Sequence, residues 1–447
     1  MTNPNKLIYP TIDLFLYDLK AGLGEDEKKV NLNRKEFWQK IYHDIQPDSQ
    51  SLEKLQQTED NSGYVELLGS QKIKPFQNNL DGYYYPVQLA DTYGLQVDCT
   101  ANFIDNYESD AQSVDCLQKV QQEILSHINN EKAKLGQTWL IWGQLSTSNQ
   151  DAEKIAQECY AQLELLSKRD WKTDLKGVYL GGTVFELLRL PSDFTESDGY
   201  HILICIFPHN IDLKKIQNTN EKLYPRLLKL LSYRHKIIWA YHQSRQLKHN
   251  LQQGAKLVQE TVIDLNELNR RKININQLQQ ILAKTPDILL KYTNNLIYLD
   301  DQRRTIKVNI SNYDKRWQSL KKLDSGSDWK FFKEFSEFAE EKFLAQIESE
   351  YANFSSRLAL MENTIKTIQG IIDLEKAKSE RSLDTTIALA GIGFALSGLT
   401  ATAISAKQPP ITSYKDFSFI DTPVFFWSLI FSAPFLVALI IRLILRR

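Results

Sequence analysis

At 447 residues the chain exceeds what a single hydrophobic core organises, so two or three domains are expected. Lys and Arg (54) balance Asp and Glu (55) to a net charge of −1, which excludes nucleic-acid binding through a global basic field. A mean hydropathy of −0.39 confines any membrane-inserted part to local segments.

Residues 1–210 read as a cytosolic α/β domain. Ile12, Leu14 and Leu16 alternate with Asp13 and Phe15, the period of a half-buried strand. Met1–Pro10 lacks a basic region followed by an apolar core, so no signal peptide is expected. Asn33–Ile45 reads as a short helix, Gln46–Gly63 as loop and Tyr64–Leu68 as a strand. Asp115–Leu135 reads as a helix and Thr138–Gln144 as a strand; Asp151–Leu166 is a helix with Asp151 near its N-cap. Val178–Leu190 and His201–Phe207 complete a β-α-β-β order, which calls for helices packed on a mixed sheet. The aromatics around Tyr83-Tyr-Tyr85-Pro86 and Trp139–Trp142 are expected in the core. Cys99, Cys116, Cys159 and Cys205 have no CxxC spacing; Cys205, inside an apolar run, reads as a reduced buried thiol.

From residue 211 to 382 the pattern is helical. Leu251, Ala255, Val258, Val262 and Leu265 repeat at heptad spacing, and a second series runs from Leu289 to Leu320 after Pro286. Ser325-Gly326-Ser327-Asp328 signals a turn and an N-cap. Beyond it, Leu344, Ile347, Tyr351, Phe354, Leu358, Met361, Ile365, Ile368 and Ile372 alternate spacings of 3 and 4, a continuous stalk seam. Three long helices joined by short turns predict an antiparallel, up-down-up stalk.

Residues 383–447 read as a two-helix transmembrane hairpin. Thr385–Ala406 is a run of 22 residues without a charge, long enough to cross a bilayer, and residues 422–441 form the second span. Neither Pro nor a Gly-Pro turn interrupts Phe343–Ala406, so one helix is expected to run from the stalk into the first span. On that span Asp384, Ala388, Gly391, Ala395, Gly398, Thr402 and Ser405 form a face of small residues, either packed against another helix or lining a pore. The stripe sits two residues out of the stalk register, about 200° round the helix, so the seam changes sides near Asp384. Lys376, Lys378, Arg381, Arg442, Arg446 and Arg447 place basic charge on the side of both termini. The expected localisation is therefore integral to the plasma (inner) membrane with both termini cytoplasmic, lipid being a partner.

No motif for catalysis stands out. HExxH, GxSxG, an EF-hand loop and paired-cysteine zinc spacing are all missing, so no enzyme activity and no cofactor are expected. His235, His242 and His249, seven apart, lie about 10 Å from one another along a helix, too far to share one metal ion. Gly22-Leu-Gly24 and Gly181-Gly182 read as turns.

The layout of cytosolic α/β domain, long helices, stalk running into a first span, short outer loop, second span and basic C-terminus resembles the CorA-type divalent-cation transporters. The resemblance implies a homo-oligomer, a pentamer, whose first spans line a pore, with a divalent cation as cargo. Where that family carries Gly-Met-Asn this chain reads Ser405-Ala-Lys-Gln-Pro-Pro410, so no ion-selecting residue is carried over. The alternative is a membrane-anchored, signal-responsive sensor, scaffold or effector without selective transport.

Overall fold

The computed structural model describes residues 5–22, 25–46, 50–59, 63–76, 80–103, 111–165, 170–171, 175–190, 200–270, 275–324 and 326–380. The elements in chain order are β1 (Lys6–Leu19), α1 (Glu27–Gln39), α2 (Gln50–Gln57), β2 (Val65–Glu66), β3 (Lys74–Pro75), β4 (Leu80–Leu89), β5 (Thr92–Phe103), β6 (Gln112–Ser113), α3 (Cys116–His127) and β7 (Gly136–Leu145). They continue with α4 (Ala152–Gln162), β8 (Leu175–Tyr179), β9 (Gly182–Arg189), β10 (Tyr200–Phe207), α5 (Leu213–Arg270), α6 (Ile275–Lys321), α7 (Lys330–Phe338) and α8 (Ala345–Glu380). The chain forms two compact units. The first holds the described residues of Met1–Gln243 and Gln302–Ala345, the second those of Ser244–Asp301 and Gln346–Arg447.

The first unit is built on one mixed sheet. Its main path runs β2-β4-β5-β1-β7-β10-β9-β8, with β3 beside β4 and β6 beside β1. All the paired neighbours are antiparallel except β7 and β10, which run parallel, so the chain crosses over through α4 and the β8–β9 hairpin to reach β10. Alternation along the strands gives the sheet two apolar faces. Ile12, Leu14, Leu16, Ile141, Ile202 and Ile204 enter a core with Phe37 and Trp38 of α1, Val120 and Ile124 of α3, and Ile155 and Cys159 of α4. Asp26 and Asp151 cap α1 and α4, accepting from Lys29 N and Glu153 N at 2.9 Å each.

The opposite face carries Asp13, Phe15 and Tyr17 of β1, Thr138, Leu140 and Trp142 of β7, and His201, Leu203 and Cys205 of β10, all buried. The first segment of α5 lies over it: the Tyr224 ring is 6.3 Å from Phe15, and Trp142 Nε1 donates to Tyr224 Oη at 2.9 Å. Gln144 Nε2 donates to the carbonyls of Pro208, His209 and Ile211, and so ties the end of β10 to the start of α5. Val178 and Asp328 exchange backbone hydrogen bonds at 2.9 and 2.8 Å, which pins α7 to the sheet margin. There Trp329 packs on Tyr179, with ring centroids 5.0 Å apart. Strand β1, expected to be half-buried, is therefore covered on both sides.

Two further differences concern the sheet unit. The 46–63 stretch, expected to be loop, contains α2, whose Leu55 rests on the core. The β4–β5 hairpin was not anticipated. Its turn runs through Ala90 at φ 54° and Asp91 rather than through the Asn-Gly or Asp-Gly pair that announces a tight hairpin.

The second unit is helical. Leu278 packs with Ile368 and Ile372, and Tyr292 Oη donates to the Phe354 carbonyl at 3.0 Å. Contacts that descend α6 while ascending α8 make these two helices antiparallel. Arg245 and Lys248 of α5 both bind Glu350, with Arg245 Nη1 and Lys248 Nζ each 2.8 Å from Oε1. Pro286 lies inside α6 rather than at its start. In the first unit, between α7 and α8, Ala339–Leu344 is π-helical and buries Ala339, Phe343 and Leu344.

The membrane part of the expected architecture is corrected. Among the described residues no helix is long and apolar enough to cross a membrane. The described fold is a large mixed sheet with long helices; residues 385–406 and 422–441, expected to be the two spans, lie outside the described residues.

Candidate functional site

The α5-facing side of the sheet carries polar groups that a purely structural core would not need, and they form two clusters. The first is centred on Asp13, which is fully buried. The β1–β5 register sets Asp13 directly opposite Asp98, and the β4–β5 register sets Asp98 opposite Tyr83. Gln96 Nε2 donates to Asp13 Oδ1 at 2.6 Å and lies 3.3 Å from Tyr83 Oη. The Asp13 carboxyl also interacts with Asp98, Tyr224 and Trp142. Tyr9 sits at a register break in β1 with φ 55°; its ring is 5.5 Å from Trp142 and its hydroxyl donates to Asp81 Oδ2 at 3.5 Å. Gln217 of α5 reaches the same hydroxyl. Asp81 is exposed, and Tyr9, Tyr83 and Asp98 are half-buried.

Burial dominates the electrostatics here. It pushes the Asp13 carboxyl up to about 6. Burial, then the charge of Asp13, then the hydrogen bond the pair shares, raise Asp98 well above the ordinary carboxylate range. Both shifts favour the protonated form, as expected of two carboxyls sharing a desolvated site. Burial followed by the carboxylates Asp98 and Asp13 raises Tyr83, and burial followed by Asp81 and Asp98 raises Tyr9.

The second cluster lies along the same face. His201 Nε2 is 3.0 Å from Glu186 Oε1, and His201 Nδ1 is 2.9 Å from Thr138 Oγ1, which is 2.8 Å from His235 Nε2. With Glu186 as acceptor the chain of donors has one direction: His235 to Thr138, Thr138 to His201, His201 to Glu186. Arg234, fully buried, places Nη2 2.9 Å from the same Glu186 oxygen and its guanidinium 4.0 Å from the Phe335 ring centroid. Burial lowers both imidazoles well below 6.5, with Arg234 adding to the effect on each, so both histidines are neutral. Tyr17 stacks on His235 at 5.3 Å.

One helix completes both clusters, since Tyr224, Arg234 and His235 all belong to α5. The expected histidine series is dispersed: His235 is buried in the second cluster, His242 neighbours Tyr241, and His249 is 2.8 Å from Gln253 at the surface. His43 Nδ1 meets Asn129 Nδ2 at 2.8 Å. Of the stalk seam, Leu344, Ile347, Phe354, Met361, Ile368 and Ile372 are buried, and Tyr351, Leu358 and Ile365 half-buried. Asp384, Ala388, Gly391, Ala395, Gly398, Thr402 and Ser405 lie outside the described residues. Among the described residues no three His, Cys, Asp or Glu side chains converge to hold a metal ion. All four thiols are raised by burial, Cys116 to about 11, and are poor nucleophiles.

Sequence reasoning missed Asp13, Asp98, Glu186 and Arg234. The available signal was a charged residue in the middle of an apolar strand, as in Ile12-Asp13-Leu14, which costs too much to bury without a purpose or a partner. Comparison with protein-family models, characterised proteins and solved structures finds no match.

Proposed function

We propose that this chain is a signal-responsive regulatory protein in which the sheet unit receives a signal and the long helices pass it to the helical unit. The observation that carries this reading is the path of α5. Within the sheet unit, α5 contributes Tyr224, Arg234 and His235 to the two buried polar clusters; the same helix continues from Ser244 into the second unit, where Arg245 and Lys248 hold Glu350. A change in charge at either cluster acts first on α5, because buried polar groups at low dielectric interact strongly with whatever completes them. The helix is the element whose position both clusters bias.

The reading is regulatory rather than catalytic. The carboxyl pair has tyrosines and glutamine as neighbours, and burial raises the hydroxyls of Tyr9, Tyr83 and Tyr224 rather than activating them. Hydrogen exchange of the full chain tests the relay. Asp98→Asn, or a shift from pH 5 to pH 8, is expected to change protection in residues 346–380 as well as in β1 and β5. Exchange confined to the sheet unit would overturn it.

A further inference from the structure

We propose that Arg226, Lys229 and Arg316 form a binding site for a phosphate group on the sheet unit, beside Tyr64. The inference goes beyond the relay reading and does not rest on it, since none of these residues belongs to either buried polar cluster.

Three cations converge there without a matching anion. Arg226 and Lys229 are three apart on α5 and share one helix face. Arg234 of α5 and Tyr313 of α6 meet at the Phe335 ring, with the guanidinium 4.0 Å and the Tyr313 ring 5.3 Å from its centroid, so the two helices lie side by side in this unit. One turn beyond Tyr313, Arg316 comes near enough for its charge to act on Lys229. Lys229 Nζ stands 3.6 Å from the centroid of the Tyr64 ring, which fixes its place. Burial, then Arg316, and also Arg226 lower the Lys229 ammonium below the ordinary lysine range. Glu66 acts in the opposite sense on Lys229, but its carboxylate is already engaged: it accepts from Tyr85 Oη at 2.9 Å and lies 3.8 Å from Lys72 Nζ. Among the described residues none of the three cations forms an ion pair. Arg316 is exposed, and Arg226, Lys229 and Tyr64 are half-buried, as a surface site requires.

Like charges gathered without a counter-ion repel, and a bound anion offsets that repulsion. Arg226 Nη1 is buried without a hydrogen-bond partner, a costly state that a ligand oxygen relieves. Each guanidinium offers a planar fork that matches two oxygens, and the ammonium offers a point charge. A tetrahedral dianion has oxygens enough to meet all three groups. Chloride or a single carboxylate leaves at least one cation unmatched. Free phosphate and the phosphoryl group of a larger molecule share this chemistry.

Isothermal titration of the full chain at pH 8 with sodium phosphate and with phenyl phosphate tests the site, against sodium chloride at matched ionic strength. Saturable binding of a phosphate probe is expected. Arg316→Gln and Lys229→Gln should each weaken it about tenfold or more. Lys315→Gln removes an exposed charge about 100° round the same helix and should leave it unchanged. Phosphate binding as tightly as phenyl phosphate assigns the site to free phosphate; tighter phenyl phosphate assigns it to a phosphorylated organic molecule. Without ligand, Arg316→Gln should keep or raise the melting temperature, because it removes one of three like charges. No saturable heat with either probe, equal heat from chloride, or a loss in Lys315→Gln as large as in Arg316→Gln would each overturn the assignment. So would a lower melting temperature of unliganded Arg316→Gln, which would give the arginine a structural partner instead.

Discussion

Asp13 and Asp98 stand opposite each other across β1 and β5; burial raises both carboxyls, and the charge of Asp13 raises Asp98 further. A carboxyl whose folded pKa lies above its unfolded value binds more protons when folded between those two values, so stability falls as pH rises through that window. For Asp13 the window runs from 3.8 to about 6, and for Asp98 it extends higher. The expected loss from the pair is on the order of 1–3 kcal/mol between pH 4 and 7. Asp98→Asn removes the repulsion, so its urea midpoint should gain on the parent at pH 8 and not at pH 4.5. Midpoints that run parallel across this range would rule out the repulsion between the two carboxyls.

The His201–Thr138–His235 chain has the opposite pH sign. Both imidazoles are held below 6.5, so the unfolded chain takes up more protons as pH falls below that value, and stability drops on acidification. His201→Gln should flatten the acid limb of a stability profile while leaving the alkaline limb to the carboxyl pair. Thr138→Val strands His201 Nδ1 and His235 Nε2 and should cost about 1–3 kcal/mol by chemical denaturation, with Thr138→Ser recovering most of it. Equal losses for valine and serine would show that the methyl group, not the hydroxyl, matters at this position.

Much of the sheet unit was legible because hydrophobic period and cap chemistry agree there. Ile12 to Leu16 reads as a strand, and Asp151 caps α4 as its position suggested. The β4–β5 hairpin was hidden because Ala90 takes a positive φ that its side chain does not advertise. Glu186 and Arg234 were hidden for a different reason: they are far apart in sequence, and only the β9–β10 pairing and the course of α5 bring them within 2.9 Å. The Asp13–Asp98 pair depends likewise on strand register, which a period-2 pattern alone leaves open. The apolar runs beyond Arg381, which suggest membrane spans by length and hydropathy, lie outside the described residues, and among the described residues no helix is apolar enough to cross a bilayer.

Gly136 starts β7 at φ 144°, and a Cβ there would overlap the His235 ring. Gly136→Ala therefore combines a strained backbone with a forced shift of the imidazole that the second cluster needs. The variant should lose more than about 2 kcal/mol, and the loss should shrink in a His235→Ala background, where the ring is gone. Thermal unfolding of the two singles and the double measures that coupling. Strict additivity would mean that the backbone conformation alone requires the glycine.

The ion group at Glu350 fixes α5 to α8 within the helical unit. Burial would raise this carboxyl, but hydrogen bonds from Arg245, Lys248 and Gln346 outweigh it and hold the pKa below the ordinary glutamate value. Its contribution is therefore present above about pH 4.5 and lost as pH falls through the lower folded value. Arg245 is only 7% exposed at its side chain, so Glu350→Ala leaves a nearly buried guanidinium without its carboxylate, at a cost of about 3–5 kcal/mol. Glu350→Gln keeps one acceptor and should lose less. Hydrogen exchange localises the effect: protection should fall in residues 244–256 and 346–361 while β1, β7 and β10 keep theirs. A uniform loss across the sheet would mean that the two units unfold together and that Glu350 acts on the whole chain rather than on its own unit.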